Sequence, residues 1–151
     1  MTEPPDGKIV SVRPIHCEDA EAAAELSGQL GYEASAAGMR TRIERLLCNA
    51  ANQAVYVAAV DEKVVGWIEI AIVQHLQSDP HTLVGGLVVR DGMRSLGIGR
   101  KLLLEAEAWS RTKGIPVVRV LSQIKRQDAH RFYLREGYRQ VKTSAVFEKS
   151  V

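Results

Sequence analysis

The sequence predicts a single mixed α/β domain, and three observations lead there. Short apolar or alternating runs are interleaved with stretches whose apolar residues recur at helical spacing. A strand–helix–strand unit fills residues 82 to 121, and such a unit places its two strands parallel with a right-handed crossover. The third is size: 151 residues, 46% of them hydrophobic, suit one domain over residues 1–151. A chain this long buries about 68–70% of its unfolded surface, so it needs no metal or disulfide to hold its core.

Each element follows from its own pattern. Lys8 to Arg13 reads as a short strand through Ile9, Val10 and Val12, and Pro14 suits its exit. Glu18 to Leu30 has acids in its first turn and an apolar line through Ala22, Ala23, Leu26 and Leu30, a helix that Gly31 stops. Met39, Ile43, Leu46, Leu47 and Ala50 make a second helix of Ala37 to Ala50. Ala54 to Val60 and Val64 to Val73 read as strands of a hairpin turning at Asp61-Glu62-Lys63. On the second of these, Trp67 and Glu69 share one face, and Gly66, Ile68 and Ile70 share the other. Gln74 to Pro80 reads as a polar loop before a strand of Thr82 to Val89. Ile98 to Lys113 is a helix with a stripe of Ile98, Leu102, Ala106 and Trp109, closed by Gly114 and Pro116. Val117 to Leu121 is a buried-type strand, Asp128 to Glu136 a short helix before Gly137, and Thr143 to Phe147 a last strand.

Composition removes several function classes. Cys17 and Cys48 form no C-x-x-C and join no histidine cluster, which argues against a zinc site and for a reducing compartment. Met1 to Lys8 lacks the layout of a signal peptide, and no apolar run approaches the roughly 18 residues of a membrane span. The expectation is a cytoplasmic protein. A net charge of +2 conceals −6 over residues 1–93 and +7 over residues 94–139. A basic segment of this kind is either a solvated face or the seat of a polyanionic partner, nucleic acid or a phosphorylated cofactor.

The chemistry concentrates in Leu87-Val88-Val89-Arg90-Asp91-Gly92-Met93-Arg94-Ser95-Leu96-Gly97-Ile98-Gly99-Arg100. A strand runs into a turn holding two glycines, and a long helix starts at once. Unpaired N–H groups and the positive end of the dipole attract anions at such a start. Glycines keep side chains away from those donors. A dinucleotide fingerprint fails, because Leu102 stands where its third glycine belongs, and a Walker loop fails for want of Gly-Lys-Ser/Thr.

Arg94-Ser95-Leu96-Gly97-Ile98-Gly99 resembles the R/Q-x-x-G-x-G/A loop of the GNAT N-acetyltransferase superfamily. Ser122 to Tyr138 (SQIKRQDAHRFYLREGY) is similar to that family's second motif, S-N-x-x-R-x-x-A-x-x-F-Y-x-x-x-G-F/Y. Both motifs stand in the right order, and the resemblance covers nearly the whole chain. It implies a central mixed, mostly antiparallel sheet with a splayed strand pair and flanking helices. It also implies acetyl-CoA as co-substrate, without a metal. Leu87, Val88 and Val89 would then line the pantetheine arm, and Arg94, Ser95, Leu96, Gly97, Ile98, Gly99 and Arg100 would hold the pyrophosphate. Gln123 replaces the family's asparagine at the pantetheine contact, and Tyr133 matches the tyrosine near the thioester sulfur. Ala129 and Phe132 support that helix.

The activity so implied is acetyl transfer to a primary amine of a small molecule or peptide, by direct attack in a ternary complex. An alkylammonium of pKa about 10.4 costs roughly 4–5 kcal/mol to deprotonate at neutral pH, so a proton acceptor is required. Many family members carry a glutamate on the strand before the phosphate loop, whereas this stretch, Thr82 to Leu87, holds no acid. Glu69 on the preceding strand is one substitute, unless it belongs to an ordinary exposed strand face. His81 is another, against its reading as a solvated loop histidine. Lys125, Arg126 and Arg131 either meet the 3′-phosphate or face solvent. No aromatics interleave with these cations, so a nucleic-acid surface ranks last. The alternative to an enzyme is an acyl-CoA-binding domain with little or no catalytic activity, and a homodimer is compatible with either.

Overall fold

The computed structural model describes residues 8–151; residues 1–7, which include most of the polar, proline-bearing start, lie outside the described residues, as does the side chain of Ser95. Contacts divide the chain into two units, residues 1–121 and 122–151.

The first unit is a five-stranded sheet with three helices: β1 (Val10–Pro14), α1 (Ala20–Gln29), α2 (Ala36–Cys48), β2 (Gln53–Val60), β3 (Lys63–His75), β4 (Ser78–Val89), α3 (Ile98–Thr112) and β5 (Val118–Val120). The strands lie in chain order; β1 to β4 are antiparallel and β4/β5 is parallel. The parallel pairing expected across residues 82 to 121 is therefore present. α1 and α3 cover opposite faces. The Trp67 indole N–H donates to the Ala23 carbonyl in α1 (3.3 Å). A Cβ on the adjoining Gly66 would lie 3.2 Å from Leu102 of α3. Neighbouring strand residues point oppositely, so the two helices flank the sheet. Ile68, Ile70, Ile98, Leu102 and Leu103 fill one side; Leu26, Ile43, Val57 and Val88 are among those filling the other.

Local chemistry accounts for most boundaries. Ser35 caps α2 by accepting the Gly38 N–H (3.0 Å). Gly31, at φ +88°, ends α1 with a Tyr32 N–H to Ser27 carbonyl bond (3.1 Å), the Schellman closure. Asp61 and Glu62 both take positive φ, as a two-residue hairpin turn demands. Other boundaries correct the sequence reading. Cys17–Asp19 is a 3₁₀ turn rather than the start of α1. Most of the expected loop Gln74 to Pro80 belongs to strands, because β3 and β4 pair as far as His75 and Ser78 and turn through two residues. His81 is accordingly buried within β4 and is no solvated loop histidine.

Asp19 anchors the junction of β1 and α1. Arg13 donates to both its carboxylate oxygens (2.7 and 2.9 Å), and the His16 N–H adds a third bond (2.8 Å). Chiefly through the Arg13 bond, the Asp19 carboxyl is held below the usual carboxylate range. A depressed folded pKa contributes stability above the unfolded value, about pH 4, and loses it as pH falls through the folded one. Asp19→Asn should therefore cost about 1–3 kcal/mol near neutral pH, and the cost should shrink as pH falls below about 4 through the depressed folded value. Urea melts of both proteins at several pH values check this; a constant difference would contradict it.

The second unit contains α4 (Gln127–Arg135), closed by Gly137 at φ +92°. Thr143 to Phe147, expected as a strand, has no strand structure, and Val146 and Phe147 are each 93% exposed. Its apolar end, Ala145 to Phe147, suits a strand, but no partner strand pairs with it among the described residues.

Candidate active site

β4 changes character halfway along. Thr82 to Val84 pair with Val118 to Val120, and the Thr82 N–H donates to the Val117 carbonyl (2.9 Å). Beyond Val84 pairing with β5 stops, although β4 continues to Val89. At the same point the register against β3 jumps: Glu69 opposes Gly86, Ile70 opposes Val84, and Gly85 is the extra residue of a bulge.

The bulge resets which backbone groups face outward. The Arg90 N–H donates to the Val65 carbonyl (2.7 Å), which makes Arg90, Val88 and Gly86 the residues bonded to β3. Leu87 and Val89 therefore direct their N–H and C=O groups to the edge that β5 has left. They belong to the stretch the resemblance sets along a pantetheine arm, and of them the Val89 carbonyl is already bonded by Gln29 Nε2 (3.1 Å). An open strand edge of this kind bonds an extended amide chain as another strand would.

The two glycines also admit the side chains of β3. A Cβ on Gly86 would fall 2.8 Å from the Trp67 ring, and one on Gly85 would fall 3.6 Å from Glu69 Oε1. The Glu69 carboxyl thus rests against the bulge. Burial pushes its pKa up, which makes the carboxylate a stronger proton acceptor than an exposed one. Glycines inside a strand were the available signal for this bulge, and the sequence reading took that stretch only as one lacking an acid.

β4 delivers the chain to an anion-binding turn. Gly92 (φ +84°) and Gly97 (φ +71°) take left-handed conformations that favour glycine, with a 3₁₀ turn, Arg94–Leu96, between them. α3 begins directly after Gly97, and its first backbone bond runs from the Lys101 N–H to the Gly97 carbonyl (3.1 Å). The N–H groups of Ile98 and Gly99 precede that first bond, at the end of the helix where backbone donors point outward. Ile98 is fully buried and fixes the helix start against the sheet. Arg94 bonds Asp91 across the turn (2.9 Å), both side chains being largely exposed. Such a pair is weak, so an incoming phosphate competes for Arg94 readily.

In the second unit, Gln123 is exposed, and its carbonyl accepts the Arg126 N–H (3.0 Å) and bonds His130 Nε2 (3.0 Å). Tyr133 lies on α4 between Phe132 (ring centroids 5.3 Å apart) and Tyr138 (6.2 Å). Burial raises its pKa, with Arg126 opposing, so the phenol stays protonated at neutral pH. Arg131 pairs with Asp128, while Lys125 and Arg126 are exposed. Among the described residues no group of three or more His, Cys, Asp or Glu side chains is placed to hold a metal ion. No helix among them is long and apolar enough to cross a membrane.

A helix start fed by a strand with an open edge, on a mixed sheet covered on both faces, places the chain in a definite class. It belongs to the acetyltransferase (GNAT) family, whose model matches residues 19–138. It is 42% identical over 83 residues to an aminoalkylphosphonate N-acetyltransferase of Salmonella typhimurium, a match covering 52% of this chain and 51% of that protein. The matched segment thus spans about half the length of that curated relative. The fold is that of an aminoglycoside N-acetyltransferase AAC(6')-Iy solved in complex with CoA (TM-score 0.84, 18% identity, 97% of this chain and 99% of the other). An aminoglycoside 6'-N-acetyltransferase from Acinetobacter haemolyticus is similar too (TM-score 0.81, 17% identity, 93% and 99%).

Proposed function

We propose that the chain is an acetyl-CoA-dependent N-acetyltransferase acting on a primary amine of a small molecule. The observation that carries this is the exit of β4: an open strand edge leading through a left-handed glycine into the start of α3. A thioester on a long diamide arm with a pyrophosphate requires those two features in that order. The family match spans both units, which supports their working as one catalytic domain. Small-molecule amines follow from the names of the relatives, an aminoalkylphosphonate and an aminoglycoside acetyltransferase. The two free cysteines accord with a cytoplasmic setting.

Bound acetyl-CoA supplies an activated acyl carbon with a thiolate leaving group. Outward N–H groups of Leu87 and Val89 orient the arm and steady the thioester oxygen. Ile98 and Gly99 offer N–H groups, and Arg94 a guanidinium, to the pyrophosphate. Glu69 accepts the ammonium proton, directly or through one water, leaving a lone pair on nitrogen. The new C–N bond forms as the C–S bond breaks, and Tyr133 gives its hydroxyl proton to the departing sulfur. Neither cysteine lies in these motifs, so no acyl-cysteine step is invoked.

Thiol release measured across a panel of amines tests the reading. Steady turnover is expected with at least one aminoalkyl compound; tight CoA binding without release from any amine would instead establish an acyl-CoA-binding domain. With a productive amine, kcat/KM should rise with pH through the raised pKa of Glu69. Glu69→Gln should remove that limb and lower the rate about 10²-fold. It should also stabilise the fold, increasingly as pH rises from the unfolded carboxyl value of about 4.3 through the raised folded one, because the native state favours the protonated carboxyl and ionisation there costs stability. A variant with the wild-type pH profile would take Glu69 out of the mechanism.

A further inference from the structure

α1 and the exit of β4 are joined by one side chain. Gln29, at the end of α1, donates from Nε2 to the Val89 carbonyl (3.1 Å) and accepts the Asp91 N–H at Oε1 (3.3 Å). The two backbone groups flank Arg90, so the carboxamide bonds β4 as a neighbouring strand would, on the edge where β5 is absent. Arg90 itself is held by the Val64 carbonyl (3.2 Å) and by Glu25 of α1 (3.6 Å). Sequence reading offers no signal for this link, because sixty residues separate the partners.

We infer that Gln29 is a positioning residue for the cofactor: it fixes the angle at which the open strand edge passes into the pyrophosphate turn. This rests on the function proposed above. The turn from Asp91 to Gly97 contains two left-handed glycines, each of which enlarges its conformational freedom. Its upstream end is secured by Gln29 and Arg90, and its downstream end by buried Ile98. Without the carboxamide, the Val89 carbonyl and Asp91 N–H are bonded by water, and the turn samples orientations in which its donors no longer converge. Apparent affinity then falls with the fraction of molecules that remain competent. Because Gln29 is exposed, rehydration makes the loss small for stability and large for binding.

Gln29→Ala and the near-isosteric Gln29→Met, which keeps the packing and removes both bonds, test the inference by calorimetry and melting temperature. Both should bind CoA and dephospho-CoA about tenfold more weakly, on the view that the competent fraction drops to about a tenth. Both should melt close to the wild type, and KM for acetyl-CoA should rise while kcat at saturation holds. Wild-type affinity in either folded variant would overturn the inference, as would restoration by methionine or a loss that tracks a lowered melting temperature. Failure of the wild-type chain itself to bind CoA would overturn the proposed function, and this inference with it; the wild-type titration separates the two failures.

Discussion

Tyr133→Phe should lower turnover by roughly 10²–10⁴-fold while CoA affinity stays near the wild-type value. The substitution removes one hydroxyl and keeps the ring that packs against Phe132 and Tyr138. Burial raises the pKa of this phenol, so at neutral pH it carries its proton and is poised as a donor, not a base. Its proton is needed only as the C–S bond breaks, hence the interaction belongs to the transition state and leaves ground-state binding alone. Turnover, CoA affinity and melting temperature should be measured on one preparation. Unchanged turnover with intact binding would assign Tyr133 to packing, as would an activity loss that follows a lowered melting temperature.

Gly99→Glu should weaken CoA binding about 10³-fold or more without unfolding the protein. A carboxylate about 4 Å from a phosphate is repelled by about 4 kcal/mol at the effective dielectric of a protein surface. The helix itself should tolerate the change. Gly99 occupies the first turn of α3, where an acidic side chain complements the dipole and a glycine is a poor helix former. Melting temperature and CoA affinity should therefore move apart, the first steady or higher and the second collapsing. A folded Gly99→Glu protein with undiminished CoA affinity would place the anion site elsewhere.

Much of the fold was legible because it rests on local rules. Periodicity placed α1, α2, α3 and the strands within a few residues, and the glycines at 31, 97 and 137 marked real helix boundaries. The pyrophosphate turn was legible for the same reason: a strand, left-handed glycines and a helix start are consecutive in the chain. Thr143 to Phe147 went the other way. An apolar run suggests a strand, but a strand also needs a neighbour, and among the described residues none pairs with these.

The properties that decide chemistry were set by partners far away in the chain. From sequence Glu69 was a candidate base or an exposed strand-face acid, and His81 a candidate base or a solvated loop histidine. Pairing of β3 with β4 buried the histidine and brought the glutamate against the Gly85 bulge, which shifts its pKa through desolvation that no local pattern encodes. The bulge also turned Leu87 and Val89 toward the free edge, a consequence of register between strands. Gln29 acquired its partners at Val89 and Asp91 only when α1 packed beside the end of β4. The sequence by itself thus determined the order of elements and the anion-binding turn, since hydrophobic period and glycine conformation act over a few residues. Tertiary structure decided which backbone edge is open, which carboxyl is desolvated and what holds the turn, because burial and register are sums over residues distant in the chain.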